Sequence, residues 1–274
     1  MSAFGRPPLD LLKRNNVSVT GRGERALVFA HGFGCDRAAW REIIPAFEDR
    51  FRIVAFDHVG AGGSDLAAYA SDRYASLHGY ADDVLQILAA LDLGQVVFIG
   101  HSVSCMIGLL AAIRSPERFA GLVMLCPSPC YVREPGYDGG FSRADLDELL
   151  EMIDSNFLGW SRATAPAIMG NPDRPELAET LGGSFCRTDP VIAREFARVT
   201  FLSDHRADLE RCTVPALILQ ARGDMVAPEA VGAYMAARMP KADLVVMQAT
   251  GHCPHMSAPG ETIGLIETYL AGPR

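Results

Sequence analysis

The chain has 274 residues, of which 49% are hydrophobic and 21% are charged, and its formal net charge is −8. This composition is typical of a globular protein with enough apolar material for a sizeable core. The negative charge argues against a nucleic-acid partner, since nucleic-acid-binding surfaces are usually basic. No apolar run approaches the roughly 20 residues that cross a bilayer, and the N-terminal residues lack the charged-then-apolar order of a secretory signal.

The seven cysteines are an odd number and lack the spacing of a disulfide framework. We therefore expect reduced thiols and a cytoplasmic location. Cys253 and His255 lie close together in the sequence, but two such residues do not make a metal site. We predict no metal, no organic cofactor and no membrane partner.

Short runs rich in Val, Ile, Leu and Phe recur along the chain, and continuous apolar runs of this length are typical of strands buried on both faces of a parallel sheet. An edge strand is predicted before them at Val17–Thr20. The predicted buried strands are Ala26–Ala30, Arg52–Phe56, Val96–Gly100, Leu122–Cys126, Ala216–Gln220 and Leu244–Gln248.

Amphipathic stretches between these strands predict helices, and the alternation implies right-handed crossovers and a doubly wound sheet. These helices are Tyr74–Leu91, Pro228–Met239 and Gly260–Leu270. Between Cys126 and Ala216 the alternation stops, and four consecutive helices are predicted at Ser142–Phe157, Trp160–Met169, Pro175–Cys186 and Pro190–Leu202. We favour a lid over the strand C-termini to a separate helical domain, because the insert is small for an independent core.

The strongest chemical signal is the segment Gly100–Ser104, GHSVS, between a buried strand and the helical run Cys105–Ile113. A serine on such a turn has its oxygen held clear of the sheet and next to the N–H groups of a helix N-terminus. We therefore interpret Ser102 as a nucleophile and not as a plain helix N-cap. The usual G-x-S-x-G pattern has a second glycine where Ser104 stands. Since serine is small, we expect Ser104→Gly to keep the rate of turnover within a few-fold of the wild-type rate.

A nucleophilic hydroxyl needs a base to take its proton, and the base needs an acid to orient it. Asp224 follows the predicted strand Ala216–Gln220, and His252 follows Leu244–Gln248. Taken one at a time, Asp224 could be an ordinary turn residue and His252 an ordinary loop histidine. Their order after Ser102, each beyond the end of a strand, is one of the known orders of a catalytic triad and favours the roles of acid and base.

The loop after the strand Ala26–Ala30 reads HGFG over residues 31–34, a type of loop that supplies one backbone N–H to an oxyanion. We assign the oxyanion donors to the N–H groups of Phe33 and Val103, and Phe33 is also a candidate pocket wall. The glycine-rich segment Asp57–Ser64 lacks the register of a phosphate loop and is interpreted as structural.

The segments HGFGCD, DHVGAGGSD, GHSVS, SPCY, RGDMVAP and GHCPHMS together resemble the RsbQ-type branch of the α/β-hydrolase superfamily, which also contains plant receptors for karrikins and strigolactones. The similarity covers nearly the whole chain, including NPDRPEL, FCRTDPVIAREFA and FLSDHR of the predicted lid. The resemblance implies Ser102 as nucleophile, Asp224 as acid and His252 as base, with Phe33 and Val103 at the oxyanion positions.

The resemblance further implies a small hydrophobic cavity under a V-shaped lid. By this analogy the substrate-binding residues are Phe33, Phe141, Trp160, Phe201 and Met225. We predict an α/β-hydrolase fold, with a doubly wound, mostly parallel sheet and a four-helix lid inserted after the sixth strand. Residues 1–127 and 211–274 would form the core domain, and residues 128–210 the lid.

Two functions are open at this point. The first is a serine hydrolase of the carboxylesterase or lactonase type, acting on a small hydrophobic ester or lactone. The second is a ligand-sensing receptor with slow or vestigial hydrolysis, for which the resemblance to RsbQ implies stress signalling with a PAS-domain phosphatase as partner. Carbon–carbon bond hydrolysis or cofactor-free oxygenation would keep the same fold. A dehalogenase is disfavoured, because its nucleophile would be an aspartate in place of Ser102.

Overall fold

The computed structural model describes residues 9–272 of the chain. Its seven-stranded sheet has the order β1-β3-β2-β4-β5-β6-β7, in which β1 runs antiparallel to β3 and the other neighbours are parallel. The predicted doubly wound, mostly parallel sheet is confirmed. The strands are β1 (Ser18–Gly21), β2 (Ala26–Ala30), β3 (Arg52–Phe56), β4 (Val96–His101), β5 (Phe119–Leu125), β6 (Ala216–Arg222) and β7 (Ala242–Thr250).

Helices follow most strands, so that both faces of the sheet are covered. Alternate residues of β2 show this, because Val28 packs into the apolar cluster on one face and Phe29 into the cluster on the other. The α-helices are α1 (Leu9–Arg14), α2 (Leu77–Ala90), α3 (Val103–Arg114), α4 (Arg143–Met169), α5 (Pro175–Phe185), α6 (Pro190–Phe201), α7 (Glu229–Ala236), α8 (Pro254–Ser257) and α9 (Pro259–Ala271).

The helical insertion comprises α4, α5 and α6. Ser142 begins α4 with a capping box, and Asn156 interrupts the helix with non-helical angles of φ −155° and ψ 76°. The side-chain oxygen of Asn156 then accepts a hydrogen bond from the N–H of Gly159 at 2.9 Å, which restarts the helix. The two predicted helices Ser142–Phe157 and Trp160–Met169 therefore occupy one run with a break in it.

The insertion lies between β5 and β6, so its predicted place after the sixth strand is wrong by one strand. The strand ending at Leu125 is the fifth in the structure, as the predicted run Leu122–Cys126 is the fifth of the predicted strands, so the number was miscounted while the place in the chain was right. The apolar residues that follow it are spaced for helices, and they pack into a third apolar cluster with the loops at the C-terminal end of the sheet.

All seven cysteines are free, and six of them are buried. Within residues 9–272, every helix is too short or too polar to cross a bilayer. The prediction on the N-terminal segment falls largely on residues 1–8, which lie outside the described residues.

Candidate active site

Ser102 occupies a sharp turn between β4 and α3. Its backbone angles are φ 55° and ψ −124°, a conformation that costs a non-glycine residue on the order of 1–3 kcal/mol. The surroundings impose this turn, because the N–H of Ser102 donates to the carbonyl oxygen of Leu125 at 2.9 Å. A Cβ on Gly100 would lie 2.9 Å from the backbone of Ser104, so only glycine lets the strand and the helix approach this closely.

Asp224 and His252 lie beyond the ends of β6 and β7, and the structure brings both to Ser102. Nε2 of His252 is 2.9 Å from Oγ of Ser102, and Nδ1 of His252 is 2.8 Å from Oδ2 of Asp224. All three side chains are buried. This arrangement leaves Nδ1–H of the imidazole donating to the carboxylate and the Nε2 lone pair facing the serine hydroxyl.

The other oxygen of Asp224 fixes the carboxylate in place. Oδ1 accepts hydrogen bonds from the N–H groups of Val226 at 2.8 Å and Ala227 at 3.0 Å. The backbone N–H of His252 donates to the carbonyl oxygen of Ile168 in α4 at 2.9 Å. The acid is thus held by its own turn, and the base is tied to the helical insertion.

The two predicted oxyanion donors flank Ser102. Val103 is the first residue of α3, where an amide has no intrahelical acceptor. Phe33 follows Gly32, and a Cβ on Gly32 would lie 3.3 Å from Cβ of Ser102, so this loop is in close contact with the turn. Within residues 9–272, neither amide donates to another protein atom.

A small cavity of about 70 Å³ adjoins Ser102 and His252, between the sheet and the helical insertion. Its wall is mostly aromatic and aliphatic. The five residues predicted to bind substrate all line it, and Phe33 lies among rings of the insertion at centroid distances of 5.8–6.4 Å. Besides these five, the wall includes Cys35, Leu149, Ile168, Leu181, Phe185, Val226 and Cys253.

The wall also contains polar residues that the sequence did not single out, among them Tyr131, Thr164 and Thr200. Tyr131 lines the same cavity as Ser102, and burial raises the pKa of its phenol, which keeps it protonated as a donor. Thr200 contributes a buried hydroxyl that has no hydrogen-bond partner among the described residues. Tyr131 ends the SPCY segment, but that segment did not indicate a role for its side chain, and the fold brings these residues to the cavity.

Cys126 lies beside the acid. Its sulfur, one oxygen of Asp224 and one nitrogen of His252 all lie within 4.8 Å of one another. Burial, and then the charge of Asp224, raises the pKa of the Cys126 thiol well above its usual value. We therefore interpret Cys126 as a neutral thiol next to the carboxylate, and the absence of a metal stays a prediction.

Three further histidines near the site are fully buried and neutral. Burial lowers the pKa of His58 and of His101 well below 6.5, and it lowers that of His255 to about 3, with a smaller effect from the charge of His252. The ring of His255 packs against that of Trp40, with 4.6 Å between the centroids, and neither of its ring nitrogens has a hydrogen-bond partner among the described residues. Protonating any of these rings in the folded state is therefore costly.

We expect acid to unfold the protein steeply below about pH 6.5. Because the three pKa values are depressed by folding, the unfolded chain binds more protons in this range, and the unfolding free energy falls as pH falls. Each additional proton that the unfolded chain binds lowers the unfolding free energy by about 1.4 kcal/mol per pH unit, so three protons lower it by up to about 4 kcal/mol per pH unit. Urea unfolding between pH 7 and 4 measures this slope. In His255→Leu the slope of unfolding free energy against pH should fall by about one third. An unchanged slope would contradict the lowered pKa of His255.

The fold and the arrangement around Ser102 define the class of protein. Residues 25–259 match the family model of the α/β-hydrolase fold, and the chain belongs to this family.

Its relatives include plant receptors and esterases. A Karrikin insensitive 2 receptor of Petunia hybrida is 35% identical over 257 residues, which cover 93% of this chain and 95% of that protein. A strigolactone esterase of Arabidopsis thaliana is 33% identical, over 95% of this chain and 98% of that protein. The structure of a hydrolase from Oleispira antarctica has a TM-score of 0.93 and 46% identity, and covers 96% of this chain and 97% of that one. The predicted relationship to the plant receptor hydrolases is confirmed.

Proposed function

We propose that the protein is a serine hydrolase that cleaves small, apolar carboxylic esters or lactones through an acyl-enzyme on Ser102. The observation that carries this proposal is the continuous hydrogen-bonded chain from Ser102 through His252 to Asp224 at an apolar cavity. An uncharged substrate suits this cavity, since burying a charge there without a partner is costly.

In the first half of the reaction, Oγ of Ser102 attacks the carbonyl carbon while its proton passes to Nε2 of His252. Asp224 stabilises the imidazolium that forms. The negative charge on the carbonyl oxygen is stabilised by the N–H groups of Phe33 and Val103. The tetrahedral intermediate then expels the alcohol oxygen, which takes the proton from Nε2, and an ester of Ser102 remains.

In the second half, His252 takes a proton from a water molecule, which attacks the acyl carbon. The intermediate collapses, Ser102 leaves with its proton restored from His252, and the carboxylic acid is released. In a lactone, the alcohol and acid are one molecule, so ring opening gives a hydroxy acid. No cofactor takes part in these steps.

The proposal is tested by assaying wild type and Ser102→Ala side by side on short-chain p-nitrophenyl esters and on butenolide lactones. We expect turnover by the wild type and none above background by Ser102→Ala. Mass spectrometry after treatment with a fluorophosphonate should show one adduct, located on Ser102. A wild type that is inert toward all of these substrates, or a Ser102→Ala variant that remains active, would overturn the proposal.

The size of the cavity predicts a preference for short acyl groups. Its 70 Å³ is about half of the roughly 150 Å³ that holds benzene in an apolar protein cavity. We therefore expect kcat/KM for p-nitrophenyl acetate to exceed that for the octanoate by at least about 100-fold, because a longer chain would have to displace packed aromatic rings.

A pair of variants checks this preference. Leu149→Ala removes volume from the cavity wall and should shift the preference toward longer chains. Leu177→Ala truncates a leucine of α5 that packs in the same apolar cluster but does not line the cavity, and it should leave the preference unchanged. Equal rates for acetate and octanoate in the wild type would contradict the size argument.

We further propose that residues 128–210 act as a lid, because side chains of this segment, such as Leu149, Trp160 and Phe201, form one side of the cavity at Ser102. A second candidate function is favoured by the relatives that are named receptors. In that case a ligand would be retained or cleaved slowly, and the insertion would contact a protein partner such as a PAS-domain phosphatase. Single-turnover kinetics separate the two, since a receptor would show a burst of acylation followed by release over minutes or longer.

A further inference from the structure

Ser104 carries a buried hydroxyl that the steps above do not use. Its side chain is completely buried, and Oγ donates to the backbone carbonyl oxygen of His31 at 2.5 Å. Oγ also lies 2.7 Å from Nε2 of His58. A hydroxyl has one proton to donate, so donation to the carbonyl makes His58 the donor in the second contact.

His31 and His58 are also joined by a direct hydrogen bond. Nε2 of His31 accepts the backbone N–H of His58 at 3.0 Å, and Nδ1–H of His31 donates to the carbonyl oxygen of Gly32 at 2.9 Å. The ring of His58 is held edge-on among Phe56, Tyr80 and Phe196, at centroid distances of 5.4–5.9 Å. The hydroxyl of Ser104 thus joins the start of α3 to the loops that follow β2 and β3.

These contacts are made by residues close in the chain to the two proposed oxyanion donors. Ser104 is the residue after Val103, and His31 lies two residues before Phe33. The intervening Gly32 is so close to the turn that a Cβ would come within 2.5 Å of Nδ1 of His101. The bond from Ser104 to His31 therefore spans the gap between the loop that carries one donor and the helix that carries the other.

We propose that Ser104 is a positioning residue for the oxyanion hole, whose hydroxyl, together with His58, fixes the N–H of Phe33 relative to that of Val103. This inference rests on the proposed ester hydrolysis. It also replaces the expectation that Ser104→Gly leaves the rate within a few-fold, because removing the hydroxyl leaves a buried carbonyl of His31 and a buried N–H of His58 without partners. Such groups shift to find new partners.

The test compares Ser104→Ala and Ser104→Gly with the wild type on p-nitrophenyl acetate, per active site titrated with a fluorophosphonate. Oxyanion donors act on the transition state more than on bound substrate, so kcat should fall about 10- to 100-fold while KM stays within about threefold. The matched control is Ser161→Ala, a buried serine whose hydroxyl donates only to the carbonyl oxygen of Leu158. It should keep the wild-type kcat.

A second measurement separates positioning from a loss of stability. The carbonyl oxygen of the ester is replaced by sulfur, which is a larger atom and a weaker acceptor, and the ratio of kcat/KM for ester to thionoester is determined. Donors aimed at an oxygen make this ratio large, and we expect it to fall at least about fivefold in both Ser104 variants and to stay unchanged in Ser161→Ala.

The possible failures are distinguishable. An inert wild type contradicts the proposed function itself. A wild type that hydrolyses the ester, with Ser104 variants that keep both kcat and the ester-to-thionoester ratio, overturns the positioning role of Ser104. The same conclusion holds if the variants unfold at lower urea concentrations but keep the ratio, since the hydroxyl would then serve stability alone.

Discussion

Replacing Ser102 by glycine is expected to abolish ester hydrolysis and, at the same time, to stabilise the fold. Without the hydroxyl no acyl-enzyme forms, and kcat should fall at least about 10⁴-fold. The gain in stability follows from the backbone angles of Ser102, φ 55° and ψ −124°, which glycine adopts with little strain.

Ser102→Ala is the matched control for this effect. It lacks the hydroxyl in the same way but keeps the Cβ, and with it the strained conformation. We expect Ser102→Gly to be more stable than Ser102→Ala by about 1–2 kcal/mol in urea unfolding. Equal stability would show that the turn is not strained, and ester hydrolysis by either variant would exclude Ser102 as the nucleophile.

Asp224→Asn is expected to preserve the fold and to lower kcat by about 10⁴-fold. The asparagine oxygen takes the place of Oδ1 and accepts the N–H groups of Val226 and Ala227, so its NH₂ group faces His252. Nδ1 of the imidazole must then become the acceptor, which puts the proton on Nε2. In this tautomer the ring donates to Ser102 and is unable to take its proton.

Steady-state kinetics should show the loss in kcat with little change in KM, because the cavity wall is untouched. Asp83→Asn provides the control. Asp83 is also buried, but it contacts Arg14 at 2.9 Å and Tyr74 at 2.8 Å at the junction of α1 and α2. That variant should lose stability and keep kcat per folded molecule, whereas an unimpaired Asp224→Asn would contradict the role of Asp224 as the orienting acid.

The sequence alone was sufficient for the sheet, its parallel character and the order of Ser102, Asp224 and His252. These features are local, since a run such as Ala26–Ala30 is apolar at every position, and each residue of the triad comes within four residues of the end of such a run. Strand ends in a parallel sheet meet at one edge, so three residues far apart in the chain were predicted to converge. The insertion was also predicted in its correct place, between Cys126 and Ala216, and only its description as following the sixth strand was wrong, because Leu122–Cys126 is the fifth of the predicted strands.

Only the tertiary structure decided how these residues are held. The strain at Ser102 arises because its N–H must reach Leu125 on the neighbouring strand, and the cavity volume depends on how α4, α5 and α6 pack onto the sheet. The partners of Ser104 lie 73 and 46 residues away in the chain. A hydroxyl in a helical pattern carries no sign of such partners, because hydrogen bonds across a fold are set by three-dimensional distance and not by sequence spacing.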